Sequence, residues 1–287
     1  MRAAPRAGDC RAGAPSSSVR EVQVHLRNHD FQVVSGPHDA YWRSLNQGAW
    51  EPETFPIFER FIDRGHSYID MGAYIGPTLL YGCQLARRAY GIEPDPIAFE
   101  ELQRNVSQNR PLTDNVRLFE LCIAPRSGEV AFGNCGEGGD TASSLLFGNR
   151  RTHWTVKALS FEDFVRQNGI DDCNFIKIDI EGGEYQVLPT MLSYLKTHRP
   201  TLHLSLHPCH LGKRGIGLIG KLVARFVSTL RLLPCIRIYR HLYDHDGRPL
   251  SIGRLLWLCR AKVTLDVVLT DRDWKAATPA VPAAAAG

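Results

Sequence analysis

Four short apolar runs end in side chains able to bind a polar ligand or move a proton. They are Asp70 after Tyr68-Ile69, Glu93 after Tyr90-Gly91-Ile92, Asp179 within Phe175–Ile180, and His207 after Leu204-Ser205-Leu206. In an open α/β sheet, ligands bind beyond the carboxyl ends of the strands, near the point where strand order reverses. A carboxylate there accepts hydroxyl donors or attracts a cation, and a histidine titrates near neutrality. Singly, each acid would be explained as a cap on the helix that follows. Four at neighbouring strand ends would ring one crevice.

The first crossover reads Asp70-Met71-Gly72-Ala73-Tyr74-Ile75-Gly76-Pro77-Thr78, and its glycines permit a tight turn and a close backbone approach. It is not the G-x-G-x-x-G that cradles a pyrophosphate, because Tyr74 stands where the second glycine would. An acid beside the loop repels a diphosphate and attracts an ammonium or sulfonium group. Glu93, at the tip of the next run, is placed to accept hydrogen bonds from two ribose hydroxyls. Loop and acid together indicate a nucleoside cofactor without a diphosphate, and S-adenosylmethionine (SAM) meets that description.

Four segments resemble the FkbM-type branch of the class I SAM-dependent methyltransferases: YIDMGAYIGPTLLYG (68–82), YGIEPDPIAFEELQRNV (90–106), FIKIDIEGGEYQVL (175–188) and LSLHP (204–208). A weaker match, VRLFELCIAPRSGEVAF (116–132), lies between the second and third. The likeness spans about half the chain, and IKIDIEGGE is its most specific element. It implies a Rossmann-like α/β fold with a seven-stranded, mostly parallel sheet, an antiparallel edge strand, and helices on both faces. It also implies O-methylation of a sugar or natural product. By the same resemblance Asp70, Gly72 and Gly76 line the methionine end of SAM, with Tyr74 and Thr78 of that loop among the cofactor contacts. Glu93 would hold the ribose, and Leu121 and Cys122 would flank the adenine. Two residues depart from the family pattern: Tyr74 replaces a small polar residue, and Pro77 follows the second glycine. Tyr74 either shapes the acceptor pocket or packs on neighbouring aromatics.

Methyl transfer to an alcohol needs the acceptor held in line and one proton removed. His207 is the expected base, Asp179 orients its imidazole or the acceptor hydroxyl, and Glu181 could reach the crevice. Glu184 is expected in the first turn of the next helix, where the dipole favours it. Asp179, Glu181 and His207 also offer ligands to a divalent metal, Mg²⁺ or Mn²⁺, but nothing in the spacing requires one. Ser143 and Ser144, in a Gly138–Leu145 segment that reads as a loop, are candidate contacts to a polyhydroxylated acceptor. Two other classes compete: a nicotinamide dinucleotide oxidoreductase, which shares the βαβ start and the ribose acid, and a non-catalytic partner-binding module. The expected partner is a small hydroxylated acceptor such as a sugar, glycan or natural product; homo-oligomerisation stays open.

These residues need a sheet to hold them. Runs rich in Ile, Val, Tyr and Phe (Ser67–Asp70, Ala89–Glu93, Val116–Ile123, Phe175–Ile180, Leu202–His207, Ile236–Leu242 and Val263–Thr270) alternate with helix-period segments, the sign of βαβ units and a parallel sheet. Asp95-Pro96 reads as an N-cap and N1 proline ahead of Ala98, Leu102 and Val106 at i, i+4, i+8. Pro189 predicts a late start or a kink in the helix after Gly182-Gly183. Asp246-Gly247 predicts a hairpin turn and an antiparallel pair at one sheet edge. Residues 1–18 and 276–287, poor in large apolar side chains, are expected to be disordered tails. The Arg-rich start also allows an organelle transit peptide, on composition alone. Residues 19–275 are expected to form one methyltransferase domain, with the aromatic-rich stretch 19–64 as its cap.

Across 287 residues, 34 basic against 30 acidic side chains leave +4, too little to argue for nucleic acid from charge. A composition of 44% hydrophobic and 22% charged residues excludes global disorder and a coiled coil. The eight cysteines show no metal-ligand spacing and read as free thiols in a reducing, cytoplasmic setting. No run of about 18 apolar residues suggests an integral membrane segment. Lys213–Arg231 is amphipathic and basic, and reads first as a sheet-covering helix with a solvated basic face. The alternative partner for it is an anionic membrane surface or a lipid-linked glycan.

Overall fold

The structure is a computed structural model that describes residues 20–134, 143–144, 153–211, 217–260 and 264–276. The expected tails, 1–18 and all of 276–287 but Ala276, lie outside the described residues.

An antiparallel pair, β1 (Arg20–Leu26) and β2 (His29–Ser35), precedes two short helices, α1 (Asp39–Asn46) and α2 (Thr54–Phe61). This aromatic stretch packs as a cap: Trp42, Phe55, Phe58 and Phe61 are all buried. Phe58 stands edge-on to Tyr68 and Phe175 of the central sheet, with ring centroids 5.4 and 5.2 Å away. Burying one such phenylalanine contributes roughly 2–3 kcal/mol, so cap and sheet stabilise each other through one shared core.

The βαβαβ run expected from the sequence follows as β3 (Ser67–Met71), α3 (Pro77–Gly82), β4 (Arg88–Ile92), α4 (Pro96–Gln108) and β5 (Val116–Phe119). Asp95 caps α4, its Oδ1 accepting from Ile97 N–H at 2.9 Å. The chain then builds a smaller four-stranded sheet from β6 (Cys122–Ile123), β7 (Gly128–Asn134), β8 (Ser143–Ser144) and β9 (His153–Leu159), in the order β6-β9-β7-β8. It returns through α5 (Phe161–Asn168), β10 (Cys173–Ile178), α6 (Glu184–Val187), α7 (Leu192–His198) and β11 (Thr201–Leu206). The last elements are α8 (Leu218–Ile236), β12 (His241–Asp244), α9 (Ile252–Arg260) and β13 (Leu265–Thr270).

Seven strands pair in the order β12-β13-β11-β10-β3-β4-β5. All neighbouring pairs from β11 to β5 are parallel, and β13 runs antiparallel to both β11 and the edge strand β12. The chain winds outward from β3 to β5 and then returns to the other side of β3 at β10, so strand order reverses between β3 and β10. Successive side chains point to opposite faces. Tyr68 and Phe175 join the core under the cap, α3 and α4; Ile69 and Ile176 join the core that contains Leu195, Leu232 and Leu255.

Several element boundaries differ from the sequence expectation. Val116–Ile123 is divided between two sheets, because the chain turns away after Phe119 and Cys122–Ile123 pairs with β9. Ile236 ends a helix, and the strand begins only at His241. Leu232, Cys235 and Ile236 keep the helical period and are buried on one face. Pro189, unable to donate a hydrogen bond, sits in a 3₁₀ turn, Leu188–Met191, between α6 and α7. The segment read as a loop contains β8, and 138–142 with Leu145 lie outside the described residues. Helix α8 does cover the sheet, and beside its exposed basic residues Lys221 and Arg231 its outward face also exposes Ile219, Val223, Phe226 and Val227. The described cysteines, 83, 122, 173, 209, 235 and 259, are free thiols.

Candidate active site

Two turns meet where strand order reverses. Gly72, at φ +84°, follows β3, and a Cβ there would lie 1.9 Å from the carbonyl oxygen of Asp179. Only glycine lets the turns after β3 and β10 approach so closely. Gly76, at φ +106°, caps α3. Five described non-glycine residues have positive φ, and three of them (Glu51, Tyr74 and Glu181) line one cavity. Each such conformation costs roughly 1–2 kcal/mol, and they concentrate at functional sites.

Behind the turns lies a buried ion network. Lys177 stands beside Asp70 in the β3–β10 ladder. Its Nζ is 3.5 Å from Asp70 Oδ1 and 3.3 Å from Asp179 Oδ2, and donates to Gly72 O at 3.4 Å. Asp70 also accepts from Thr78 Oγ1 at 2.7 Å. Complete burial raises the Asp70 pKa despite Lys177 and Thr78. Burial opposes the Asp179 charge as well, but Lys177 and His207 outweigh it and hold that carboxyl below its usual range. The shared cation therefore serves Asp179 better.

His207, on the segment leaving β11, is surrounded by acids. Its Nδ1 lies 3.2 Å from Glu184 Oε1, and its Nε2 lies 3.7 Å from Asp179 Oδ1 and 3.8 Å from Glu181 Oε1. Burial disfavours the charged ring, but the Glu184 hydrogen bond and the three negative charges raise its pKa to about 10. His207 is thus an imidazolium at neutral pH. Glu181 sits on a left-handed backbone turn, with Oε2 3.3 Å from His210 Nδ1. Burial raises its pKa to about 7 against the pull of His207, and Asp179 and Glu184 push the same way as burial. Glu184 is buried in the first turn of α6, where its Oε1 also accepts from Ile180 N–H at 2.9 Å. Asp179, Glu184 and His207 each place one ligand atom within 4.8 Å of the others, the one such set among the described residues. A metal there would have to displace the proton that His207 shares with its acids.

Lys177, Asp179, Glu181 and His207 line a cavity of about 440 Å³, a volume typical of small-molecule sites. It runs along the sheet rim from Glu93 of the β4 tip to Asp266 of β13. Met71, Ile92, Pro94, Cys122, Ile123 and Phe132 supply apolar wall, and Tyr41, Trp50 and Glu51 come from the cap. Of the cofactor residues expected from sequence, Gly72, Tyr74, Thr78, Glu93 and Cys122 line the cavity. Asp70 stands behind its wall, Gly76 packs toward Leu102 and Leu80, and Leu121 belongs to the apolar core. His207, Asp179 and Glu181 all line it. Tyr74 lines the cavity and also packs on the cap, edge-on to Tyr41 at 5.8 Å. Ser143 and Ser144 pair with Asn134 and Gly133 of β7.

Sequence reasoning assigned no role to Lys177, Glu51 or Asp266, and took Tyr41 and Trp50 only as part of the aromatic cap. Lys177 and Asp266 carried a readable signal, each a lone charge in an otherwise apolar strand. Glu51 lies in a turn with no periodic signal. Burial raises its pKa to about 8, and Asp179 reinforces the effect.

The donor set fits SAM. Glu93 accepts from Tyr74 N–H at 2.9 Å and Asp95 N–H at 2.8 Å, and burial lifts its pKa to about 7 against those two bonds. Hydroxyl donors would stabilise its ionised form. No arginine is among the described residues that line the cavity, Lys177 is engaged by two acids, and His207 is engaged by three. A diphosphate would find no available cation there, whereas a sulfonium would find acids.

The family described as "Methyltransferase FkbM domain" matches residues 70–231, more than half of the chain. The methyltransferase FkbM of Methylobacillus flagellatus KT is 17% identical, with 80% of this chain and 55% of that one covered and a TM-score of 0.45. This chain thus spans about half the length of that protein. A TehB-like SAM-dependent methyltransferase from Corynebacterium glutamicum is 11% identical, with 82% of this chain and 96% of that one covered and a TM-score of 0.42. A Streptococcus mutans protein solved in complex with SAH is 10% identical, with 76% and 96% covered and a TM-score of 0.40. No curated protein matches the chain. The matched residues contain the Gly72 crossover, Glu93, the Lys177–Asp179 strand and His207, and the chain belongs to the FkbM methyltransferase family.

Proposed function

We propose that the protein is a SAM-dependent O-methyltransferase acting on a hydroxyl of a small sugar, glycan or natural product. The observation that carries this reading is one cavity joining Glu93 to the Asp179–Glu181–His207 group. Bound SAM supplies a methyl group on a cationic sulfur, open to in-line displacement. Glu93 accepts the ribose hydroxyls, the apolar wall around Ile92 and Cys122 receives the adenine, and Asp179 favours the nearby positive charge. Tyr41, Trp50 and Tyr74 form an aromatic side for the acceptor, and Ser205 and Asp266 offer it hydrogen-bonding groups. Ser205 Oγ already donates to Asp266 Oδ1 at 2.6 Å, which orients that carboxylate.

An alcohol is a weak nucleophile, and a base matched to the working pH contributes about 10²–10⁴-fold. Three nearby carboxylates keep His207 protonated, so the base role expected of it passes to Glu181. Its pKa of about 7 leaves it half ionised near neutrality. His207 then holds Glu181 and Asp179 in place and returns a hydrogen bond as charge moves.

Titration with S-adenosylhomocysteine (SAH) and with NAD(H) tests the cofactor. Mass spectrometry of a panel of hydroxylated acceptors, read for the gain of one methylene unit, tests the reaction. SAH binding with a methylated hydroxyl supports the proposal. Binding of NAD(H) alone would overturn it, and binding of neither would favour a non-catalytic module. Methylation confined to nitrogen or carbon would refute the O-methyl assignment.

A further inference from the structure

Helix α8 is apolar on both sides. Thr229, Leu232, Cys235 and Ile236 are buried against the sheet layer. On its outer side Ile219, Val223, Phe226, Val227 and Leu230 recur at i, i+4, i+7, i+8 and i+11, one continuous stripe. Ile219 is 79% exposed and Val223 55%. Nothing in the fold requires this second stripe, because a helix that covers a sheet normally turns a polar face to water. The packed partner helix α9 adds Trp257, 53% exposed, with the Arg254 guanidinium 4.4 Å from its ring centroid.

The charges on these two helices have a single sign. Together α8 and α9 carry Lys221, Arg225, Arg231, Arg254 and Arg260 and not one Asp or Glu. Arg225 is buried and structural. Its Nε donates to Pro208 O at 3.0 Å and its Nη1 to Arg260 O at 3.2 Å, tying α8 to α9 and to the residue that follows His207. The other four are exposed. A second copy of the chain is a poor match, since a two-fold contact would set basic groups against basic groups with no acid on either side. An exposed apolar helix stripe with lysine and arginine beside it and tryptophan nearby suits the boundary of an anionic bilayer. There the apolar side chains enter the acyl region and the cations meet lipid headgroups. No described helix is long and apolar enough to cross a membrane, so the helix would lie along the surface.

We propose that the outer face of α8, with Trp257 of α9, docks the protein on an anionic lipid surface. The Arg225 bonds make that face rigid relative to the segment bearing His207, so docking fixes how the cavity is presented to the bilayer.

Co-sedimentation of the full chain with vesicles tests this. Binding is expected to vesicles of equal parts phosphatidylglycerol and phosphatidylcholine, to fall with added salt, and to be weak on phosphatidylcholine alone. The double substitution Ile219→Asn with Phe226→Asn, and the pair Lys221→Glu with Arg231→Glu, are each expected to weaken binding roughly tenfold or more. SAH titration and thermal melting should stay at wild-type values, which separates lost docking from a lost fold or an empty cofactor site. Failure of the wild-type chain to bind the anionic vesicles would overturn the proposal, as would variants that bind them equally well. A dimer in sedimentation velocity that Ile219→Asn dissociates would overturn it in favour of a second copy.

Discussion

Replacing Lys177 by methionine keeps most of the side-chain volume and removes the one cation between Asp70 and Asp179. At 3.5 and 3.3 Å, and with an effective dielectric constant of about 20, each attraction is worth about 5 kcal/mol before desolvation. Desolvation of three charged groups takes back most of that sum, so the intact network adds little net stability. Breaking it is another matter. Asp179 keeps His207 at 3.7 Å, but Asp70 is left wholly buried with neutral hydroxyls, Thr78 and Tyr68, in place of the cation. One-sided removal of this kind costs about 3–5 kcal/mol. For a chain of this size that is a fall in melting temperature of roughly 6–20 °C.

The pH dependence identifies the cause. Without Lys177 the folded-state pKa of Asp70 rises further above its unfolded value of about 3.9. A raised folded pKa contributes stability at low pH that is lost as pH rises through it. The deficit of Lys177→Met against wild type should therefore widen from pH 5 to pH 8, in melts followed by far-UV circular dichroism at closely spaced pH. Adding Asp70→Asn should recover part of the loss, a coupling of about 1–3 kcal/mol. A Lys177→Met protein melting within about 2 °C of wild type, with a deficit independent of pH and no recovery from Asp70→Asn, would refute the reasoning.

Glu93→Gln should weaken SAH binding about 10- to 100-fold by calorimetry, the loss expected when hydroxyls donate to a neutral amide instead of a carboxylate. An unchanged affinity would take Glu93 out of the ribose site. Gly72→Ala should destabilise by several kcal/mol in urea unfolding, since its Cβ would strike the Asp179 carbonyl and φ is +84°; wild-type stability would show that the two turns can separate. His207, with a folded pKa of about 10 above an unfolded value of about 6.5, contributes stability present below that lower value and lost as pH rises through the higher one. Wild-type melting temperature should accordingly fall between about pH 6.5 and pH 10, and His207→Gln should be flatter across that window. Equal slopes would mean that the ring is neutral in the folded protein.

The acids that form the site could be found in the sequence because topology forces them together. A carboxylate at the end of an apolar run in a βαβ protein has one destination, the carboxyl rim of a parallel sheet. Reversal of strand order beside β3 then makes Glu93 and Asp179 neighbours of one cavity. Asp70 obeyed the same rule but stopped a layer short, since only its place opposite Lys177 decides that it pairs inward. Glu51 could not be placed, because the cap that delivers it is joined to the sheet by aromatic packing rather than by any strand period. The protonation state of His207 was hidden for a different reason. An isolated histidine titrates near neutrality, and the sequence shows three acids at 179, 181 and 184 without showing which of them faces the ring. That depends on the turn at 180–183, where Glu181 at φ +52° and Gly182 at φ +94° fold the segment back on itself. All three acids come within 3.8 Å of the imidazole. A few ångströms of backbone placement thus decide which acids surround the imidazole, although the residue types themselves were in view from the start.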